Sequence, residues 1–239
     1  MGDDLQGSIF RLLLFIPAFV AALTVHEFAH AWAGHRLGDD TAERQGRLTL
    51  DPMAHLDPFG SIMIVFAILY RLPLMGCAKP VPFNPRNLKD PRRDGMLIAL
   101  AGPISNLMQM PIWLALLWLC GLLAGGDRSA FAIAVLNGFS GQPDMTNPLA
   151  LVGTMLAMGV LVNIGLAAFN MIPLPPLDGH YVLEALGPPY ITDLFNTIRP
   201  FSFLILYALL LTGLIGQILG PVQMLSYRIV FFALGTPMF

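Results

Sequence analysis

Charged residues are scarce in this chain. Aspartate, glutamate, lysine and arginine make up 12% of its 239 residues, whereas soluble domains contain about 25%. This scarcity excludes an ordinary water-soluble globular protein, because too little charge is present to cover a surface that faces water. The net charge of -2 is small as well, and it therefore gives no reason to expect a nucleic-acid partner.

Cysteine is nearly absent. The two cysteines, Cys77 and Cys120, lie far apart in the sequence and form no metal-binding or redox spacing. Their number and separation exclude a disulfide scaffold and a cysteine-based metal motif. Both cysteines are therefore expected to be packing residues.

Apolar residues dominate instead, at 56% of the chain with a mean hydropathy of +0.68. Several runs approach the ~20 residues that cross a bilayer as a helix. We predict one membrane-embedded domain over residues 1–239, with a core at about 8–190 and apolar C-terminal helices at about 200–236. The predicted full spans are residues 8–37, 95–125, 148–172 and 201–219. An interruption at Gly220-Pro221 and a last apolar helix follow, and the sequence does not fix how deeply this helix enters the membrane.

One motif of ionisable residues lies inside the first apolar run, where His26, Glu27 and His30 form the pattern H-E-x-x-H. On a helix, side chains four residues apart project about 40° from one another, so both imidazoles face one side. Two such histidines can bind one Zn²⁺, and the glutamate can accept a proton from a water molecule. Because a carboxylate in a membrane helix is costly, we favour a functional site over a purely structural role.

A catalytic zinc site normally has a third protein ligand, and His35, His55, Asp178 and His180 are the candidates. His35 points away from His30, since five residues correspond to about 140° around a helix. His55 lies in a polar loop and is expected at the surface. Asp178 follows a proline-rich break, and irregular backbone at membrane depth is tolerated where it lines a site or cavity. These arguments favour Asp178 and leave His180 open.

The distribution of basic residues predicts the topology. Residues 38–57 contain two lysines or arginines and residues 76–94 contain five, whereas residues 126–147 contain only Arg128. The positive-inside rule places the first two segments on the cytoplasmic side. The apolar segment 58–75 then leaves and returns to the same side, which indicates a re-entrant segment, with an ordinary full span as the alternative.

Three blocks of the sequence, at residues 26–30, 101–106 and 170–179, resemble the site-2 protease family of intramembrane zinc metalloproteases. They occur in the order typical of that family. The resemblance implies one Zn²⁺ per chain, bound by His26, His30 and Asp178, with Glu27 as the general base and Asn106 and Asn170 as substrate-binding residues in the cleft. Asparagine also links membrane helices by hydrogen bonds, and this alternative stays open for Asn106, while Asn163 is expected to be such a link.

The fold implied is an all-α integral membrane protein, a polytopic helix bundle with a three-helix catalytic core, a re-entrant segment and short extended or β edge elements. The core helices are residues 8–37, 95–125 and 148–172. Residues 47–50 or 78–84 are candidates for the edge that pairs with a substrate strand. No segment outside the apolar runs is long enough for a PDZ or CBS domain, so a minimal form of the family is expected.

The expected activity is hydrolysis of a peptide bond within or next to the transmembrane segment of another membrane protein, that is, regulated intramembrane proteolysis. The expected partners are single-span or other membrane-protein substrates and the lipid bilayer, without nucleic acid. The expected location is a bacterial or archaeal cell membrane, which the protein crosses several times, and the topology from the positive-inside rule places the active site toward the cytoplasmic side. The alternative function is a metal-ion transporter, because acidic residues and histidines also line ion pathways.

Overall fold

The computed structural model describes residues 2–58, 60, 62, 79–125 and 128–235. In these ranges the regular structure is helical, apart from one isolated bridge residue, Leu56. The helices are α1 (Gly2–Arg36), α2 (Thr41–Arg44), α3 (Pro52–His55), α4 (Pro91–Leu123), α5 (Arg128–Phe139), α6 (Pro148–Asn170), α7 (Gly179–Leu186), α8 (Tyr190–Ile198), α9 (Ser202–Leu211) and α10 (Leu214–Ala233), with 3₁₀ turns at Pro85–Asn87 and Arg199–Phe201.

Five helical stretches of the described chain are long and apolar enough to cross a membrane. They are Gln6–Arg36, Pro91–Leu123, Pro148–Asn170, Tyr190–Leu211 and Leu214–Ala233. The prediction of a polytopic helical membrane protein is therefore confirmed, and the last apolar helix, whose depth the sequence left open, is long enough to span.

The break between the last two spans lies earlier than the sequence predicted. Gly213 separates α9 from α10 with a φ of 74°, a left-handed conformation that glycine adopts without steric cost. Helix α10 then continues through Gly220 and Pro221. The prediction of one span over residues 201–219 with an interruption at 220–221 was therefore wrong, because membrane helices tolerate internal glycine and proline.

Helices α1, α4 and α6 pack on one another and form the centre of the bundle. Helix α5 lies within residues 126–147, a stretch for which no helix was predicted, and it adds Phe131 and Val135 to the core. There the two side chains join a buried cluster with Leu117 of α4 and with Leu156 and Val160 of α6. The three-helix core predicted from the apolar runs thus corresponds to α1, α4 and α6.

Asp39 joins the two chain segments that flank residues 59–78. Its buried carboxylate accepts hydrogen bonds from the Asn84 backbone N–H and from Asn87 Nδ2, each at 2.7 Å. The turn after α1 and the segment before α4 therefore lie at the same end of the bundle. The predicted re-entrant segment 58–75 itself lies outside the described residues, apart from residues 58, 60 and 62.

Candidate metal centre

Helix α1 carries both histidines of the H-E-x-x-H motif on its buried side. His26 is 2% exposed and His30 is 7% exposed, and their Nε2 atoms lie 3.1 Å apart. The four-residue spacing therefore directs both imidazoles to one point, as the helical geometry predicts.

The outer nitrogen of each imidazole is hydrogen-bonded to an oxygen atom. His26 Nδ1 lies 2.6 Å from Asn106 Oδ1, and His30 Nδ1 lies 2.7 Å from the Ile98 carbonyl oxygen. Because these oxygens accept, both Nδ1 atoms carry the hydrogen, and in the neutral rings both Nε2 atoms carry lone pairs. Two lone pairs that face each other at 3.1 Å repel unless a cation lies between them.

Asp178 completes the cluster from the chain that follows α6. Its Oδ2 atom lies 3.3 Å from His26 Nε2 and 3.4 Å from His30 Nε2. This oxygen is buried and has no hydrogen-bond partner among the described residues. Metal bonds of about 2.0–2.1 Å in a tetrahedral site put ligand atoms about 3.3 Å apart. The spacing of the three atoms thus fits three corners of a tetrahedral Zn²⁺ site, the number of protein ligands that catalytic zinc sites usually have.

The other histidines lie outside this cluster. His35 is paired with Glu43 at 3.0 Å, and His180 Nδ1 lies 2.6 Å from the Leu177 carbonyl oxygen. His55 has no exposed surface, and its Nε2 lies 2.8 Å from the Thr49 carbonyl oxygen. The expectation that His55 lies at the surface was therefore wrong, because the turn at residues 49–55 folds the imidazole back onto its own backbone.

Glu27 and the cluster of His26, His30 and Asp178 line one cavity of about 1460 Å³. Glu27 itself is 6% exposed. The cavity is larger than typical small-molecule sites of about 300–1,000 Å³. Its walls are mainly apolar and come from α1, α6, α9 and α10, including Phe15, Phe19, Leu23, Leu161, Phe203, Leu206, Leu210 and Ile215. The cluster therefore opens into a mainly apolar cavity whose volume exceeds that of typical small-molecule sites.

Gly102 brings α4 directly against the two imidazoles. A Cβ atom at this position would lie 2.4 Å from His30 Nε2 and 2.6 Å from His26 Cε1. Such distances are far below van der Waals contact, so only glycine allows α4 to pass this close. The sequence contains this glycine in the block at residues 101–106, but neither its spacing nor its type indicates which atoms it faces.

The two predicted cleft asparagines have different surroundings. Asn170 is half-buried, lines the cavity and donates to the Leu166 carbonyl oxygen at 3.0 Å. Asn106 is fully buried, and both ends of its amide are hydrogen-bonded within the protein. A contact between substrate and Asn106 would require some of these bonds to open. Substrate binding by both residues stays a prediction.

Arg47 is a buried residue near the site whose role the sequence reasoning missed. It is 4% exposed, and its guanidinium donates to the carbonyl oxygens of Ala54, Lys79 and Pro80. Burial lowers the pKa of Arg47, and the negative charge of Glu27 opposes this effect. Arg47 thus holds the segment at Lys79 and Pro80 in place, and Pro80 lines the same cavity as Glu27. Its spacing in the sequence carried no signal of this contact.

The extended edge predicted at residues 47–50 or 78–84 has no regular strand in the described part of the chain. Arg47 points inward instead of alternating with its neighbours. Residues 79–84 are non-helical, and Pro80, Val81, Pro82 and Phe83 line the cavity. This second segment therefore faces the same cavity as Glu27, and its role as an edge stays a prediction.

Fold and site together define a polytopic helical membrane protein in which two histidines of a central helix and one aspartate from the chain after α6 meet beside a glutamate. The family model described as "Peptidase family M50" matches residues 14–212. The chain therefore belongs to peptidase family M50, the site-2 protease family, as its three sequence blocks indicated.

Individual relatives agree with this membership. The chain is 36% identical over 206 residues to "Putative zinc metalloprotease YwhC" of Bacillus subtilis, covering 86% of this chain and 84% of that protein. It is 27% identical over 205 residues to "Putative zinc metalloprotease Rip2" of Mycolicibacterium smegmatis, covering 86% of this chain and 69% of the relative. No solved structure matches the chain significantly.

Proposed function

We propose that this protein is an intramembrane zinc metalloprotease. It hydrolyses a peptide bond within or next to the transmembrane segment of another membrane protein. The observation that carries the proposal is the convergence of His26 Nε2, His30 Nε2 and Asp178 Oδ2 at 3.1–3.4 Å beside Glu27. The names of the relatives, which call them zinc metalloproteases, support the choice of metal.

The residues of the chain have separate roles in this reaction. When bound, Zn²⁺ supplies Lewis-acid chemistry that polarises the scissile carbonyl and makes a water molecule more acidic. His26, His30 and Asp178 would hold one ion per chain. Glu27 accepts the proton as water attacks the carbonyl carbon, and then transfers it to the nitrogen of the leaving amine as the C–N bond breaks.

The apolar cavity suits a substrate that arrives from the bilayer. The backbone carbonyl groups of a substrate's transmembrane helix accept hydrogen bonds within that helix. A few residues of the substrate must therefore unwind before cleavage. The unwound backbone needs new hydrogen-bond partners, which a non-helical segment such as residues 79–84 can provide by pairing with it. Arg47 supports this segment by binding the carbonyls of Lys79 and Pro80.

The test is cleavage of a single-span membrane protein after both proteins are purified and reconstituted in liposomes. Mass spectrometry of the products should place the cut within or beside the transmembrane segment. A zinc chelator should abolish cleavage, and added zinc should restore it. A soluble fragment of the same substrate, without its membrane segment, is the control and should stay intact. Cleavage that persists in the chelator, or that occurs only in the soluble part, would contradict the proposal.

We further infer that the site opens toward the cytoplasm. The positive-inside rule places the basic segments 38–57 and 76–94 on that side, and Asp39 meets Asn84 and Asn87 just beyond the end of α1 that carries both histidines. Single cysteines at Gln45 and Lys89, in a variant lacking Cys77 and Cys120, should be protected from a membrane-impermeant thiol reagent in intact cells. A cysteine at Gln142, in the loop between α5 and α6, should be labelled. All three side chains are exposed, so labelling reports the side of the membrane. Labelling of the cysteine at Gln45 together with protection of the cysteine at Gln142 would show the opposite orientation in the membrane and contradict this inference.

A further inference from the structure

Two buried asparagines connect the metal-facing His26 to helix α6. His26 Nδ1 lies 2.6 Å from Asn106 Oδ1. Asn106 Nδ2 donates to Asn163 Oδ1 at 2.9 Å, and Asn163 Nδ2 donates to the Gly159 carbonyl oxygen at 2.8 Å. Both asparagines are 0% exposed, so water does not compete for these bonds. The result is one hydrogen-bonded chain that crosses from α6 through α4 to α1.

The direction of this chain is fixed at its far end. A backbone carbonyl such as that of Gly159 can only accept, so the amide nitrogen of Asn163 must face it. Asn163 Oδ1 then faces Asn106 and requires a donor there. Asn106 Nδ2 meets this requirement and also donates to the Ala22 carbonyl oxygen at 3.2 Å. Both acceptors therefore hold the nitrogen end of the Asn106 amide away from His26.

The remaining end of the Asn106 amide is an oxygen, and it faces His26. An amide oxygen accepts but cannot donate, so His26 Nδ1 must carry the hydrogen. A neutral imidazole has one N–H and one lone pair. The lone pair of His26 is consequently on Nε2, the atom that lies 3.3 Å from Asp178 Oδ2. Had the amide been turned around, Nε2 would carry a hydrogen and could not bind a metal.

We propose that Asn106 and Asn163 are positioning residues that lock His26 in its metal-binding tautomer. The inference rests on the zinc site proposed above and gives Asn106 a role other than contact with substrate. His30 receives the same support directly from the Ile98 carbonyl oxygen at 2.7 Å. The protein thus orients His30 with a backbone carbonyl and His26 with the side chains of Asn106 and Asn163. A substitution of the hydrogen-bond partner can therefore affect only His26.

The competing explanation is that Asn106 only links the helices by hydrogen bonds. Measurements of zinc affinity distinguish this explanation from the proposal that Asn106 holds His26 in its metal-binding tautomer. Asn106→Asp keeps an oxygen toward His26 but loses the donors to Ala22 and Asn163, so it should lower the melting temperature and keep zinc affinity. Asn106→Leu removes the oxygen too and should lower zinc affinity by about 10–100-fold, the usual effect of losing a partner of a metal-bound histidine. A helix link predicts that both variants change affinity in proportion to their loss of stability.

Asn163 is tested in the same way, although it is one hydrogen bond farther from His26 than Asn106 is. Asn163→Leu leaves the Asn106 oxygen present and its amide oriented by the Ala22 carbonyl alone, so we expect a smaller loss of zinc affinity than in Asn106→Leu. The matched control is Thr154→Val, which removes another buried polar group of α6 that is bonded to Val135 and Ala150, away from the site. Zinc affinity of Thr154→Val should equal that of wild type.

Affinity is measured on the purified full chain by competition with a chromophoric chelator, with melting temperature recorded for each variant. Asn106→Leu with wild-type affinity, or Asn106→Asp and Asn106→Leu with equal losses, would overturn the lock. Equal affinities of Asn163→Leu and Thr154→Val would also overturn it, because the proposal requires both asparagines. Wild-type protein that binds no zinc would overturn the proposed function itself, so the two failures are distinguishable.

Discussion

A Glu27→Gln variant is expected to bind zinc like the wild type and to cleave its substrate about 10²–10⁴-fold more slowly, the usual loss when a general base is removed. Glutamine has nearly the shape of glutamate, so the cavity wall beside His26 and His30 should be unchanged. It cannot accept the proton that the attacking water must lose. Cleavage in the reconstituted liposome assay and metal content of the same preparation are the two measurements.

The matched control for this variant is Glu43→Gln. Glu43 lies in α2, and its carboxylate is half-exposed and paired with the surface residue His35. Exposed ion pairs contribute little to stability, so Glu43→Gln should bind zinc and cleave at the wild-type rate. Near wild-type cleavage by Glu27→Gln would contradict the protease mechanism. Metal-dependent ion transport that survives Glu27→Gln, in a protein without cleavage activity, would favour the transporter alternative instead.

Gly102→Ala is expected to lose both zinc and activity, although it adds a single methyl group and removes no ligand. The new Cβ would lie 2.4 Å from His30 Nε2 and 2.6 Å from His26 Cε1. Real Cβ atoms do not approach other atoms this closely, so α4 or the imidazoles must move. Because the ligand atoms have to converge within a few tenths of an ångström to bind zinc, such a shift opens the site.

Gly220→Ala is the matched control, since it makes the same change in a membrane helix. No atom lies within 4 Å of a Cβ built at Gly220. Alanine is also the better helix former, so the control should be at least as stable as the wild type and fully active. Metal analysis and the cleavage assay are run on both variants. A Gly102→Ala protein that retains its zinc would contradict the packing of α4 on the two histidines.

The convergence of His26, His30 and Asp178 was predictable because local geometry decides most of it. His26 and His30 share a helix face by their spacing alone, and the apolar run around them predicts the helix. Asp178 was favoured because the chain breaks before it at membrane depth, and its carboxylate indeed lies beside both imidazoles. Each argument required only the sequence within a few residues of the group concerned.

Contacts between helices were not predictable in the same way. In a water-soluble bundle the polar face of a helix identifies the opposite, buried face, but these spans are apolar on all sides. The sequence therefore did not indicate that Gly102 faces the imidazoles or that α5 packs into the core. The last turn was also predicted at the wrong glycine, at Gly220 instead of Gly213, because glycine is suited to a break at either position.

The central claim is that His26, His30 and Asp178 form one zinc site, and metal analysis of purified variants tests it most directly. Wild-type protein should contain one Zn²⁺ per chain. Asp178→Ala should lose it, because two histidines remain where three ligands are needed. His35→Ala should keep it, since His35 is partly exposed and paired with Glu43. Zinc retained in Asp178→Ala and lost in His35→Ala would contradict the account.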